Sequence, residues 1–147
     1  MNADPENSEL VVLLVDDDPV EHTILKRKLA GMDAGMDKAS IKLEYVGNIS
    51  AAVDRVKRDG IDLVFLDNRL APNNDFRETA PQLRQAGFVG PIGIISSDIS
   101  GAYFRQFREY GVDFRIGKDE IDGAAIAFII KEYTRDQLSE TCAEDFL

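Results

Sequence analysis

Apolar residues in this chain come in short runs that stop abruptly on a polar residue. Leu10–Val15 ends at Asp16, Ile61–Leu66 at Asp67, the strand Pro91–Ser96 on a serine, and Ile116-Gly117, closing a fifth strand Val112–Ile116, at Lys118. Near-continuous apolar runs of this length suit strands buried on both faces, as in a parallel sheet. Ile41, Leu43 and Tyr45 instead alternate with Lys42 and Glu44, the pattern of a half-buried edge strand.

Helical spacing fills the intervals. Asp18 followed by Pro19 predicts a helix start, because aspartate caps free amides and proline at the first position loses no hydrogen bond. That helix runs to about Ala30 with Leu25 and Leu29 inward. Asn48 or Ser50 caps a second helix carrying Ala52, Val53 and Val56, closed by Gly60. Pro81 fits poorly inside a helix, so the regular part of the third is expected from near Thr79. A fourth spans roughly Gly101–Tyr110 and a fifth about Asp122–Gln137, with Ile121, Ala125, Phe128 and Ile129 on one face.

Strand–helix repeated five times predicts a three-layer, doubly wound α/β fold: a five-stranded parallel sheet with right-handed crossovers. The 147 residues suit one domain, expected over residues 10–138, with a frayed tail at 1–9 and another at 139–147. A net charge of −10 opposes nucleic acid and anionic membrane surfaces, whose phosphates need clustered Lys and Arg. The acidic start MNADPENSEL is unlike a signal peptide, and no apolar stretch approaches a membrane span. Cys142 alone cannot form an internal disulfide or a cysteine zinc site. These features together predict a cytoplasmic protein.

In such a sheet the carboxyl ends of the strands open onto one edge. Asp16, Asp17 and Asp67 would meet there with Lys118 and Ser96. Hard carboxylate oxygens suit Mg²⁺, which prefers oxygen ligands and keeps several waters. Asp67, alone at its strand end, is the natural nucleophile, and a cation and a hydroxyl can take up charge on phosphoryl oxygens. Carboxylates crowded at one edge also repel one another, and cation or phosphoryl binding would relieve that.

The segments VDDDP, DLVFLD, PIGIISS and GVDFRIGK, in this order and spacing, resemble the receiver domain of bacterial two-component response regulators. The resemblance covers nearly all of residues 10–138. It implies a flavodoxin-like, CheY-like fold and phosphorylation of Asp67 by a sensor histidine kinase or a histidine phosphotransfer protein. It implies Mg²⁺ held by Asp17 directly, by Asp16 through a water, by Asp67 and by the backbone carbonyl of Arg69. Ser96 and Lys118 would contact phosphoryl oxygens, and Arg69 and Asp98 would tune hydrolysis. No activity is implied beyond the domain's own aspartyl phosphorylation and dephosphorylation. Three positions depart from the family pattern: Ala71 with Pro72 following it, Asp119 after the lysine, and Arg115 in place of an aromatic.

Two other readings compete. Asp16-Asp17-Asp18-Pro19-Val20 matches the start of haloacid-dehalogenase-type phosphatases with Asp16 as nucleophile, which leaves Asp67 without a role. A pseudo-receiver adaptor that works without phosphate would account for Arg115, Ala71 and Asp119. His22 is expected at a surface or half-buried position without a chemical part. Tyr103, Phe104, Phe107 and Tyr110 on the fourth helix, with Ile126, Ile130 and Tyr133 on the fifth, form either a wide core face or a patch for an effector or a twin subunit. With about ten residues after the fifth helix, the leading expectation is a stand-alone receiver acting as a relay, a phosphate sink or an allosteric regulator.

Overall fold

A computed structural model describes residues 9–30, 40–97, 100–129 and 131–132. Expectations for residues 1–8, Asp98, Ile130, Tyr133, Cys142 and the 139–147 tail lie outside the described residues. Strands β1 (Glu9–Val15), β2 (Ser40–Val46), β3 (Leu63–Asp67), β4 (Ile92–Ser96) and β5 (Phe114–Gly117) form one sheet in the order β2-β1-β3-β4-β5. Every pairing is parallel. Between the strands lie α1 (Pro19–Ala30), α2 (Ile49–Val56), α3 (Phe76–Gln85) and a 3-10 helix, Ala102–Tyr110; residues 123–129 form the last helix. Connections turn in opposite directions from β1 and β3, so a crevice opens between their carboxyl ends.

Alternate residues of the central strands enter opposite layers, which explains their unbroken apolar runs. Leu13, Val15, Val64 and Leu66 pack with Ala52, Phe76 and Phe104 on one side. Val12, Leu14, Leu63 and Phe65 pack with Leu25, Ile121 and Ile126 on the other. Each fully buried side chain of this size contributes about 1.5–3 kcal/mol. The β2 edge position matches its alternating pattern, with Ile41, Leu43 and Tyr45 only half-buried.

Local capping places the helix starts. Asp18 Oδ1 accepts the Val20 amide at 3.0 Å, and Asn48, rather than Ser50, accepts the Ala51 amide at 2.8 Å. Helix α3 begins at Phe76, one turn earlier than Pro81 alone suggests. Asp75 caps it through the Arg77 amide at 2.9 Å and pairs with the Arg77 guanidinium at 2.7 Å. Pro81 lacks the amide that would reach the Arg77 carbonyl, and the cap and the buried Phe76 offset that loss.

Two expectations are corrected. The fourth helix winds as a 3-10 helix, with Gly111 closing it at φ 87°. Phe104, Phe107 and Tyr110 recur every third residue, the spacing that aligns on a three-residue turn, and all three pack on the core. In the last helix Ile126 and Ile129 face inward, whereas Phe128 is 64% exposed. Ile121 is buried but precedes the helix, so it does not set the helix's phase.

Gly93 pairs with Phe114 across β4 and β5, and a Cβ at Gly93 would run into the Phe114 ring. That ring meets Phe65 edge-on at 6.1 Å and has little room to retreat. Gly93→Ala should therefore cost about 1–3 kcal/mol, read as a lower urea midpoint at unchanged slope.

Candidate functional site

Strand register assembles the site. Val15 pairs with Leu66, so Asp16 and Asp67 take the next step side by side at the strand ends. Asp67 lies opposite Ile95 on β4, and Ser96 lies opposite Gly117, one residue before Lys118. The chain past each end is held by the Asp16 amide on Val46 O at 3.2 Å and the Asn68 amide on Ile95 O at 2.9 Å.

Asp16 is fully buried. Its Oδ1 accepts the Asp18 amide at 2.9 Å, and its carbonyl accepts the Tyr45 hydroxyl at 2.7 Å. Its Oδ2 lies 3.1 Å from Lys118 Nζ, in ion-pair contact without a directed hydrogen bond. Lys118 Nζ also sits 3.3 Å from Asp67 Oδ1. Asp17 is exposed, and Asp16, Asp17 and Asp67 each bring one oxygen within 4.8 Å of the others.

Burial pushes the Asp67 carboxyl up to about 7; the Asp16 charge adds to this and Lys118 pulls against it. For Lys118 burial disfavours the charged form, but Asp67 and Asp16 outweigh it and hold the ammonium above its ordinary range. Burial, then the charges of Asp16, Asp17 and Asp18, raises the Tyr45 phenol. Three carboxylates thus face one ammonium. The donor set is all hard oxygen and short of positive charge, with one buried oxygen lacking a hydrogen bond, and it fits a divalent cation such as Mg²⁺.

Beside these groups a cleft of about 400 Å³ is bordered by Asp67, Asn68, Arg69, Ser96, Tyr103 and Lys118. Ser97 also borders it but is exposed, whereas Ser96 at the end of β4 is half-buried. Of the residues expected at the site, Asp16, Asp17, Asp67, Arg69, Ser96 and Lys118 therefore come together at this edge. His22 is not part of it: half-buried, it stacks on Tyr45 with ring centroids 4.6 Å apart. Arg115 is exposed on β5, as its charge requires.

Asn68 was not expected. It is 1% exposed, accepts the Phe76 amide at 3.2 Å and donates to the Tyr103 hydroxyl at 2.7 Å. It ties the end of β3 to α3 and to the 3-10 helix. The sole sequence signal was a polar residue directly after a strand-terminal aspartate.

No family model matches the chain. It is 29% identical over 130 residues, 87% of its length, to Transcription factor SKN7 of Chaetomium thermophilum, of which it spans 14%. Among solved structures, it superposes on the receiver domain of sensor histidine kinase PA1611 from Pseudomonas aeruginosa, which holds a magnesium ion in its active-site cleft. That match has a TM-score of 0.66 and 20% identity, covering 86% of this chain and 98% of that one. A CheY-like receiver domain from Methanospirillum hungatei matches with TM-score 0.67 and 17% identity over 90% and 99% of the two chains. One from Methylobacillus flagellatus matches with TM-score 0.64 and 22% identity over 86% and 99%. The fold is that of a CheY-like response-regulator receiver domain, the flavodoxin-like arrangement that the resemblance implied and a form of the parallel α/β sheet predicted by the strand–helix order.

Proposed function

We propose that this chain is a cytoplasmic receiver that accepts a phosphoryl group on Asp67 from the phosphohistidine of a sensor histidine kinase or histidine phosphotransfer protein. The observation that supports it is the setting of Asp67: lining the cleft, 3.3 Å from Lys118 and grouped with Asp16 and Asp17. Asp16 is the weaker nucleophile candidate, since it is fully buried with Oδ1 committed to the Asp18 amide.

In the reaction an Asp67 oxygen attacks phosphorus, an O–P bond forms, and the bond from phosphorus to the donor nitrogen breaks with its electron pair leaving on nitrogen. Lys118 and Ser96 take up charge on the phosphoryl oxygens. Asp16, Asp17, Asp67 and the Arg69 carbonyl would hold Mg²⁺, which when bound supplies charge neutralisation. A carboxyl that titrates near 7 is half protonated at neutral pH, so a nearby cation also raises the fraction ready to attack. Because the acceptor is the protein's own side chain, this is a signalling event and not the turnover of an enzyme. Output through protein contacts, as a relay, a phosphate sink or an allosteric regulator, completes the reading. A second copy or an effector would meet the 3-10 helix and the last helix.

Incubation with acetyl phosphate should give a single phosphoryl adduct by intact mass, present with Mg²⁺ and absent when the ion is chelated. A folded protein that acquires no adduct under both conditions would overturn the proposal in favour of an adaptor.

A further inference from the structure

Asn68 and Tyr103 border the cleft with Asp67, yet the chemistry above gives them no part. The Asn68 amide has a determined orientation. Its Oδ1 must face the Phe76 amide, a donor, at 3.2 Å, so Nδ2 is the group facing Tyr103 Oη at 2.7 Å. The phenol oxygen is therefore an acceptor from Asn68, and its own proton has to be donated elsewhere. Among the described residues no acceptor for that proton is found. The ring is also held in place. It stacks on Phe104 and Phe76 with centroids at 4.6 and 5.9 Å, and the Arg77 guanidinium lies 4.7 Å from its centroid.

We propose that Tyr103 Oη donates a hydrogen bond to the phosphoryl group on Asp67, and that Asn68 is the positioning residue that aims it. This rests on the reading of Asp67 as phosphoacceptor. With acetyl phosphate the Asp67 oxygen bonds to phosphorus, the bond from phosphorus to the acetate oxygen breaks, and acetate leaves with the electron pair. Tyr103 keeps its proton throughout and shares it with a phosphoryl oxygen, where charge is spread in a loose transition state. Lys118, Ser96 and Tyr103 would then approach the group from separate elements: β5's end, β4's end and the 3-10 helix.

Tyr103→Phe isolates the hydroxyl, because phenylalanine keeps the ring stack. Adduct formation in the wild type, Tyr103→Phe, Asn68→Ala and the double variant is followed by intact mass over a range of acetyl phosphate concentrations with Mg²⁺. Loss of a hydrogen bond to a charged group predicts a maximal rate lower by about tenfold in Tyr103→Phe, with half-saturation changed by less than about twofold. The double variant should be no slower than Asn68→Ala alone, since the two side chains act as one unit. A thermal midpoint for Tyr103→Phe that falls no further than the loss of the Asn68 hydrogen bond requires, and no further than in Asn68→Ala, separates this from a packing defect. A wild-type maximal rate in Tyr103→Phe overturns the inference and leaves the Asp67 reading standing. Absence of any adduct on the wild type overturns both.

Discussion

Asp67→Asn is expected to abolish the phosphoryl adduct while making the metal-free protein more stable. The reason is that this carboxylate is buried beside another carboxylate. Its folded-state titration, raised from 3.8 to about 7 by burial and then by Asp16, means the folded chain binds more protons than the unfolded chain between those values. Stability therefore falls as pH rises through that window, and the group's stabilising contribution is present only below it. Asparagine is neutral throughout. The variant's advantage should be small near pH 4, grow with pH, and level off above about 7 at roughly 2–4 kcal/mol. Lys118 reduces the gain, because it loses one of its two carboxylate partners. Thermal melts in chelator across this pH range measure the trend, and Mg²⁺ added to the wild type should narrow the gap. A difference that does not vary with pH would contradict the electrostatic account.

Phe76→Ala should be among the most damaging single changes in the core. The ring is fully buried and meets Tyr103, Phe104 and Tyr110 at centroid distances of 5.9, 5.8 and 6.1 Å. Truncation leaves a cavity where α3 joins the 3-10 helix, which predicts a loss of about 3–5 kcal/mol in denaturant unfolding. The damage should reach the cleft as well, since Tyr103 loses one face of its stack. Phe128→Ala is the contrast. With that side chain 64% exposed, the change should stay within about 0.5 kcal/mol. Comparable losses in the two variants would mean that the phase of the last helix is wrong.

The parts legible in the sequence were those that depend on chain order and local pattern. Apolar runs ending on Asp16, Asp67 and Ser96, together with a strand that ends just before Lys118, identify strands whose polar ends a parallel sheet must gather at one edge. The register pairs Val15 with Leu66 and Ser96 with Gly117, which is what brings those ends together. Less legible were features decided by tertiary contact. Asn68 finds its partners 8 and 35 residues away, and no local pattern announces either. Pro81 reads as a boundary, yet Asp75 and the buried Phe76 start α3 ahead of it. Ile121 seemed to begin the last helix's apolar face, but the turn before the helix holds it, and the phase shifts to Ile126 and Ile129.

The central claim is that Asp67, and not Asp16 or Asp17, receives the phosphoryl group. Borohydride reduction of the protein treated with acetyl phosphate and Mg²⁺, followed by peptide mass spectrometry, locates it directly, because an aspartyl phosphate is reduced to homoserine. The account predicts homoserine at position 67. Homoserine at position 16 would contradict it and favour phosphatase-type chemistry on the first strand.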